Sequence, residues 1–426
     1  MSLLLGSLSR LSLGKHVYVR SSLLLSKGFS TSLLQTPPCE IVLAERCGAD
    51  LGKLVVLYIN EVKCTNLEKK VPLELVNDKD AKIRIGASHG WIATLKEDGI
   101  LRLQDDLIPV ESNSGPKRIS LPPLVTLPHC QTQIITNVSM SSSSPEDCVV
   151  AVKFLGPQLS FCKLSSQSKP EWTNIKIENP CFYSSRVMFS KKHNMFGIPG
   201  SGGHLIGSWD PYKPSKNPKF QRLRFTNMPK LSKAKQNLLD SCSRSEHLVE
   251  SLPTGETFLV KWYKKTTKIA KGGIATMRTK ALMVFKLDDE GNAVYTQDIG
   301  DLNMFLSNSE PFCISATSFP GMDPNYVSFR DFEETGFVEL SFSDVWSLAS
   351  TCLKRKPTHA SSIIREAETF CNRNVGLPLL CLINTLLYCN NLELLNRFYS
   401  PSPLYKLISL RLVCLDEDER NELHSS

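Results

Sequence analysis

Hydrophobic positions in this chain come in short alternating runs, paired around a glycine. The clearest pair lies between Gly86 and Leu124. Trp91, Ala93 and Leu95 share one face at period two, Leu101 and Leu103 do the same after Glu97-Asp98-Gly99, and Ile119 and Leu121 open a third strand closed by Pro122-Pro123. Alternation sends successive side chains to opposite faces of a strand, glycine accepts the positive φ of a tight reversal, and proline cannot donate to a ladder. The theme returns at Cys148 to Leu164 around Gly156-Pro157, with Trp172 and Ile175 beginning the strand that follows. It recurs at Ser185 to Trp209 around Gly200-Ser201-Gly202-Gly203, at His247 to Tyr263 around Gly255, and at Ala281 to Ile299 around Gly291.

The turn markers Gly99, Gly156, Gly202, Gly255 and Gly291 are separated by 57, 46, 53 and 36 residues. Four-stranded propeller blades repeat at about 40–50 residues. The pattern therefore predicts an all-β β-propeller of degenerate, kelch-like blades over residues 81–336, with no helix between Gly86 and Asn325. A two-sheet sandwich, whose strands recur at roughly 8–12 residues, is the competing architecture, and the recurrence of tryptophan with the hairpins favours the propeller. Residues 36–80 read as a variable lead-in with one strand, Lys53 to Asn60, apolar on both faces. From Asp344 the period turns helical through Ser343 to Leu353, Ala360 to Asn372 and Pro378 to Phe398, with Ser361 or Ser362 as a cap. Residues 337–426 are thus expected to form a helical C-terminal extension, ending near the acidic run Asp416-Glu417-Asp418-Glu419.

Charge changes the picture at the N-terminus. The formal net charge is +8, yet the residues before Glu40 hold Arg10, Lys15, Arg20 and Lys27 and no acid. Serine-rich and acid-free, with Leu4, Leu8 and Leu11 on one helical face, residues 1–35 read as an organellar transit peptide, and Lys27-Gly28-Phe29-Ser30 is similar to a plant mitochondrial processing site. The expected location is the mitochondrion, with chloroplast the alternative that the serine content leaves open. The 14 cysteines are scattered, among them Cys39, Cys64, Cys148, Cys242, Cys313 and Cys389, and predict free thiols in a reducing compartment. No apolar run reaches the roughly 18–20 residues that cross a bilayer.

Three stretches together resemble the plant F-box-associated, kinase-interacting type of β-propeller catalogued as domain-of-unknown-function family 295. They are Gly86-Ala87-Ser88-His89-Gly90-Trp91 with the Asp98-Gly99 turn and Ile119 to Leu124, then His247-Leu248-Val249-Glu250-Ser251 with Phe258 to Tyr263, and finally Asp298 to Asp301, Phe305-Leu306, Phe312 and Ser318 to Asn325. The likeness spans about residues 80–330. Members carrying an F-box are thought to be substrate adaptors of ubiquitin ligases, and some bind kinases. Here no F-box-like helix pattern precedes the propeller, so the resemblance implies an organellar branch lacking it, for which a protein-binding role is expected. From about Phe337 the chain departs from the family pattern, which reads as an acquired or aberrant end.

No catalytic motif emerges, and neither a cofactor nor a metal is expected. Gly200-Ser201-Gly202-Gly203 lacks the Lys-Ser/Thr of a phosphate loop, Ser201 has Pro199 where a nucleophile elbow needs glycine, and no two cysteines stand at zinc-ligand spacing. His89 reads as satisfying a carbonyl at a strand start, and Trp91, Trp172 and Trp262 as packing residues. The anomaly is charge without acid: Lys213, Lys216, Lys219, Arg222, Arg224, Lys230, Lys233 and Lys235 between Asp210 and Asp240, then Lys261, Lys264, Lys265, Lys268, Lys271, Arg278 and Lys280. Such runs are ordinarily solvated loops. Interleaved with Phe220, Phe225, Trp262 and Tyr263, they also suit an acidic partner or RNA held by phosphate contact and base stacking. The sequence thus predicts a non-enzymatic scaffold for a protein partner, with an RNA-associated protein as the alternative.

Overall fold

The computed structural model describes Tyr18–Val19 and residues 37–341, except 62, 77–82, 96–97, 109–116, 129, 131–133, 146, 166–168, 214–216, 270–274, 308 and 331–333. Among the described residues six antiparallel-rich sheets follow one another as the blades of a propeller. Blade I pairs Tyr18–Val19, Cys39–Arg46, Leu51–Tyr58 and Lys63–Pro72. Blade II pairs Ile83–Ser88, Trp91–Leu95, Ile100–Gln104 and Arg118–Pro123. Blade III pairs Ile135–Met140, Asp147–Phe154, Gln158–Ser165 and Trp172–Lys176, and blade IV pairs Met188–Ser190, Met195–Pro199, Leu205–Trp209 and Lys219–Arg222. Blade V runs Ser243–Glu250, Thr257–Ile269, Ala275–Leu287, Asn292–Thr296, with Arg224–Thr226 added parallel at its outer edge. In blade VI the spatial order is Phe312–Ser315, Leu302–Leu306, Tyr326–Arg330, Thr335–Glu339.

All five turn-marker glycines have positive φ: 71° at Gly99, 125° at Gly156, 92° at Gly202, 70° at Gly255 and 87° at Gly291. At Gly291 the demand is also steric, because a Cβ would lie 2.6 Å from the Arg222 carbonyl oxygen. The hairpins at Gly255 and Gly291, read as two repeats, belong to one blade. Their 36-residue separation, the shortest of the series, falls below a blade repeat because the strands between them pair as one long hairpin. The stretch 36–80, expected to hold one strand, contributes three. Lys63–Pro72 escaped notice because an outermost strand is exposed on alternate residues and carries lysines.

Strands in the middle of a blade are buried on both faces, since each sheet is sandwiched between two others. Asp147–Phe154 is buried at every position after Asp147, and Leu302–Leu306 throughout. The core is accordingly divided into layers between blades. Trp91, Leu101 and Leu103 meet Val138, Val150 and Phe154, while Phe161 and Val149 meet Phe196 and Trp209. The ring closes where Phe305, Phe312 and Phe319 pack with Ile59. Across the same seam Asn60 Nδ2 donates to the Pro320 carbonyl at 3.3 Å, and Arg330 pairs with Glu40.

The innermost strands line up in sequence order: Ile83–Ser88 lies against Ile135–Met140, then Met188–Ser190, Ser243–Glu250 and Phe312–Ser315. Glu310, in the connection that returns blade VI to its innermost position, spans this ring. Its carboxylate accepts from Ser88 Oγ, from Ser139 Oγ at 2.8 Å and from the Phe189 N–H at 3.2 Å, tying blade VI to blades II, III and IV. Charge-assisted bonds to three blades make this the main polar brace at the axis.

Among the described residues one α-helix, Lys233–Asp240, and the short 3-10 turns Pro180–Phe182 and Ala316–Ser318 interrupt the region expected to be free of helices; Ser232 caps the α-helix, its side chain accepting from the Lys235 N–H. It lies in the connection from blade IV to the innermost strand of blade V and leaves the sheet order intact. Thr335–Glu339 is a strand that crosses the boundary expected at 337. The helices expected beyond 341 and the transit segment fall outside the described residues, apart from Tyr18–Val19.

Candidate functional site: the basic outer edge of blades IV and V

Seven of the eight cations read from the first basic run can be placed, and Lys216 lies outside the described residues. Lys219 and Arg222 are on the outermost strand of blade IV, Arg224 on the outermost strand of blade V, and Lys233 and Lys235 on the helix. Lys213 and Lys230 are exposed in the flanking connections. The buried Leu223 carries the chain from one edge to the next, its N–H donating to the His204 carbonyl at 2.9 Å while the Arg224 N–H donates to Gly291 at 2.8 Å. Strands and helix therefore replace the solvated loop that charge alone suggested.

The cations differ in what holds them. Arg224 is committed to the blade V turn, donating from Nε to Asn292 Oδ1 at 3.2 Å and from Nη2 to the Glu290 carbonyl at 3.0 Å. Lys219, Arg222, Lys230 and Lys233 stand in solvent. The same edge elements and their neighbours also expose apolar side chains: Phe220 is 55% exposed, Met228 49% and Val294 39%, the last opposite Thr226 in the parallel pair. Phe220 stacks one ring face on the buried Phe182, centroids 5.8 Å apart, which fixes the outer strand to its blade.

The second basic run is likewise strand rather than loop, for Lys261, Lys264, Lys265, Arg278 and Lys280 lie on the long hairpin of blade V. Lys268 is on the same hairpin, and Lys271 lies outside the described residues. Lys261 is buried opposite Glu246, its Nζ 3.7 Å from the centroid of the Phe225 ring, and burial followed by the nearby Arg244 pulls its ammonium down to about 8. Trp262 and Tyr263 are 2% and 7% exposed, and Phe225 packs edge-on against Phe285. These rings belong to the blade core, so they offer no open face on which a base could stack.

The glycine-rich loop has a packing explanation. The Gly202 N–H donates to the buried Glu246 carboxylate at 2.8 Å, and a Cβ on Gly203 would lie 2.9 Å from Lys261 Cε. Glycine lets the blade IV turn close onto blade V. His89 does not sit at a strand start; with φ of 52° it forms, with Gly90, the two-residue turn between the first two strands of blade II, its Nδ1 3.1 Å from Ser88 Oγ. Trp91 and Trp172 pack as expected and lock neighbours, Trp91 Nε1 donating to the Ser143 carbonyl at 2.9 Å and Trp172 Nε1 to Pro122 at 2.8 Å. The nine described cysteines are free thiols, and burial pushes those of Cys39 and Cys162 up to about 12. Among the described residues no helix is long and apolar enough to cross a membrane. The sequence reading named neither Glu310 nor the polar role of His247, because an isolated polar residue amid strands carries no periodic signal.

The fold is that of a β-propeller, and a family model, the KIB1-4 beta-propeller, matches residues 62–348. The chain belongs to that family. Its motif residues are chiefly structural here: Asn325, at φ 65°, accepts from the Ile299 N–H at 2.9 Å and donates to the Gln297 carbonyl at 3.0 Å, shaping the crossover of blade VI. A search of curated proteins finds no match. Among solved structures the chain is similar to the N-terminal domain of Nup159, with 9% identity over 67% of this chain and 62% of that one at a TM-score of 0.30. It is also similar to Kluyveromyces lactis Hsv2, 12% identical over 58% of this chain and 86% of that one at 0.26. A third is the Pseudomonas aeruginosa periplasmic gluconolactonase PpgL, 12% identical over 70% and 95% at 0.30. The alignment thus spans under two thirds of the Nup159 domain, and likenesses at these scores carry no argument about activity.

Proposed function

We propose that this propeller is a non-catalytic scaffold whose outer edge on blades IV and V docks an acidic segment of a protein partner. The observation that carries the reading is the succession of exposed Lys219, Arg222, Lys230 and Lys233 with exposed Phe220 and Met228 along consecutive edge elements and their connections. Edge strands offer unpaired backbone groups to an extended peptide, and a basic rim favours one carrying carboxylates. The acid-free leader supports action inside mitochondria, with the chain placed by this reading in an organellar branch of the family-295 type. RNA is the weaker reading because Trp262 and Tyr263 are buried in blade V, which leaves Phe220 as the one exposed ring of the four expected to stack on bases.

Photo-crosslinking from position 220 in cells tests this, comparing wild type with a Lys219→Glu, Arg222→Glu, Lys230→Glu variant. The expected result is a crosslink to an acidic segment of one protein, lost in the variant while thermal unfolding is unchanged. Crosslinks that are sensitive to ribonuclease, or that persist in the variant, would overturn the proposal.

A further inference from the structure

Five of the six blades place a strand of three to eight residues at the axis: Ile83–Ser88, Ile135–Met140, Met188–Ser190, Ser243–Glu250 and Phe312–Ser315. In blade I, among the described residues, two residues fill that position, Tyr18–Val19. They pair antiparallel with the start of Cys39–Arg46, Val19 opposite Cys39 and Tyr18 opposite Glu40, and lie against Ile83–Ser88 of blade II. The innermost position of blade I therefore comes from the acid-free segment read as a targeting leader, upstream of Lys27-Gly28-Phe29-Ser30, while the strand it pairs with lies downstream of that motif.

Cys39 is 1% exposed and Glu40 7%. Their backbone groups are shut away from water and depend on ladder partners. Successive residues of a strand aim N–H and C=O at opposite edges, so one of the two bonds outward to Leu51–Tyr58 and the other inward to Tyr18–Val19. Removing the inner pair strips a buried donor and acceptor of their partners and leaves an open strand edge, the feature to which extended segments add. Two paired residues hold weakly by themselves. Attachment through residues 20–38 keeps them near at an effective concentration on the order of millimolar, so the pairing lasts only while the chain between is intact.

We propose that Tyr18–Val19 is a displaceable strap: in the full chain it closes the axial edge of blade I, and a cut within residues 27–30 releases it and opens that edge at Cys39 and Glu40 to an extended segment. The occupant is the chain's own N-terminal segment, in cis before the cut and in trans when supplied as a peptide. The inference is independent of the outer edge on blades IV and V, and rests on the leader reading only for where the cut falls.

The test uses the full chain with a site-specific protease sequence inserted at Gly28, cut after folding, and reads hydrogen exchange at Cys39 and Glu40. Before the cut both amides should be protected. After it the N-terminal fragment should separate on gel filtration and one of the two amides should exchange at least tenfold faster, with Val149 to Val152 in blade III unchanged. A peptide of residues 14–23 at about 1 mM should restore protection, and the same peptide carrying Tyr18→Pro and Val19→Pro, which cannot donate to the ladder, should not. The uncut full chain carrying those two prolines should show the fast amide already, which decides the matter even where the cut chain loses its fold. Exchange unaltered by the cut or by the prolines, or equal restoration by both peptides, would overturn the proposal. Charge reversal at Lys219, Arg222 and Lys230 should leave exchange at Cys39 and Glu40 as it is, so this inference and the outer-edge reading fail separately.

Discussion

Asn60 and Gly321 meet at the seam where the ring closes: a Cβ on Gly321 would lie 2.4 Å from the Asn60 carbonyl oxygen. With φ of 87° at Gly321, both backbone conformation and space demand glycine there. Gly321→Val should therefore destabilise the fold by about 2–4 kcal/mol, combining left-handed strain with a backbone clash. Gly300→Ala is the control. It has φ of 66° but open space around its Cβ position, so only the conformational cost of about 1 kcal/mol applies. Urea unfolding of the two variants separates the contributions.

Glu310 is the second point at which one residue serves several blades. Glu310→Ala strips acceptors from Ser88, Ser139 and the Phe189 N–H together, and removal of one partner from such a charged network costs about 2–5 kcal/mol. Glu310→Gln keeps an acceptor oxygen and should lose less. A smaller loss for alanine than for glutamine, measured by urea midpoints at a common slope, would refute the brace.

His247 gives the fold a sensitivity to acid. Its folded-state pKa is depressed by burial, so below the unfolded value near 6.5 the unfolded chain binds a proton that the folded chain refuses. The stability it contributes is present above that pH and falls as pH drops below it, by up to about 1.4 kcal/mol per unit. His247→Gln should flatten this part of the profile between pH 7 and 5, measured as the difference between wild-type and variant unfolding free energies. A variant as acid-sensitive as wild type would contradict it.

Reversing charge on the outer edge should leave the fold alone. Lys219, Arg222 and Lys230 are exposed, and surface substitutions of this kind usually stay within about 0.5 kcal/mol. Thermal unfolding of the triple variant checks this, and a large loss would mean that these cations serve the blades rather than a partner.

The elements legible in the sequence were those whose physics is local. Hairpins at Gly99, Gly156 and Gly202 declared themselves because a positive φ and alternating apolar flanks both lie within a few residues. Lys63–Pro72 and Lys219–Arg222 did not, because outermost strands face solvent and need no apolar face. The hairpin through Lys264 and Lys280 looked like a loop for the same reason, since its pairing is specified by ladder bonds rather than by burial. Lys261 was the opposite case, a lysine in a charged run whose burial depends on Phe225 and Phe285, aromatics distant in sequence. Part of the basic edge could be found from composition. The polar brace at Glu310 could not, because Ser88, Ser139 and Phe189 meet its carboxylate only once blades II, III, IV and VI are assembled.

Everything placed on the edge and at the axis depends on the ring including residues 39–72 as its first blade. Native-state hydrogen exchange of the full chain tests this most directly. Leu54, Val55 and Val56, fully buried in the middle strand of blade I, should be protected to the level of Val149 to Val152 in blade III, and Gly321→Val should accelerate exchange at both 51–58 and 302–330. Exchange of residues 51–58 at the rate of an unstructured peptide, with the other blades protected, would contradict the closed ring.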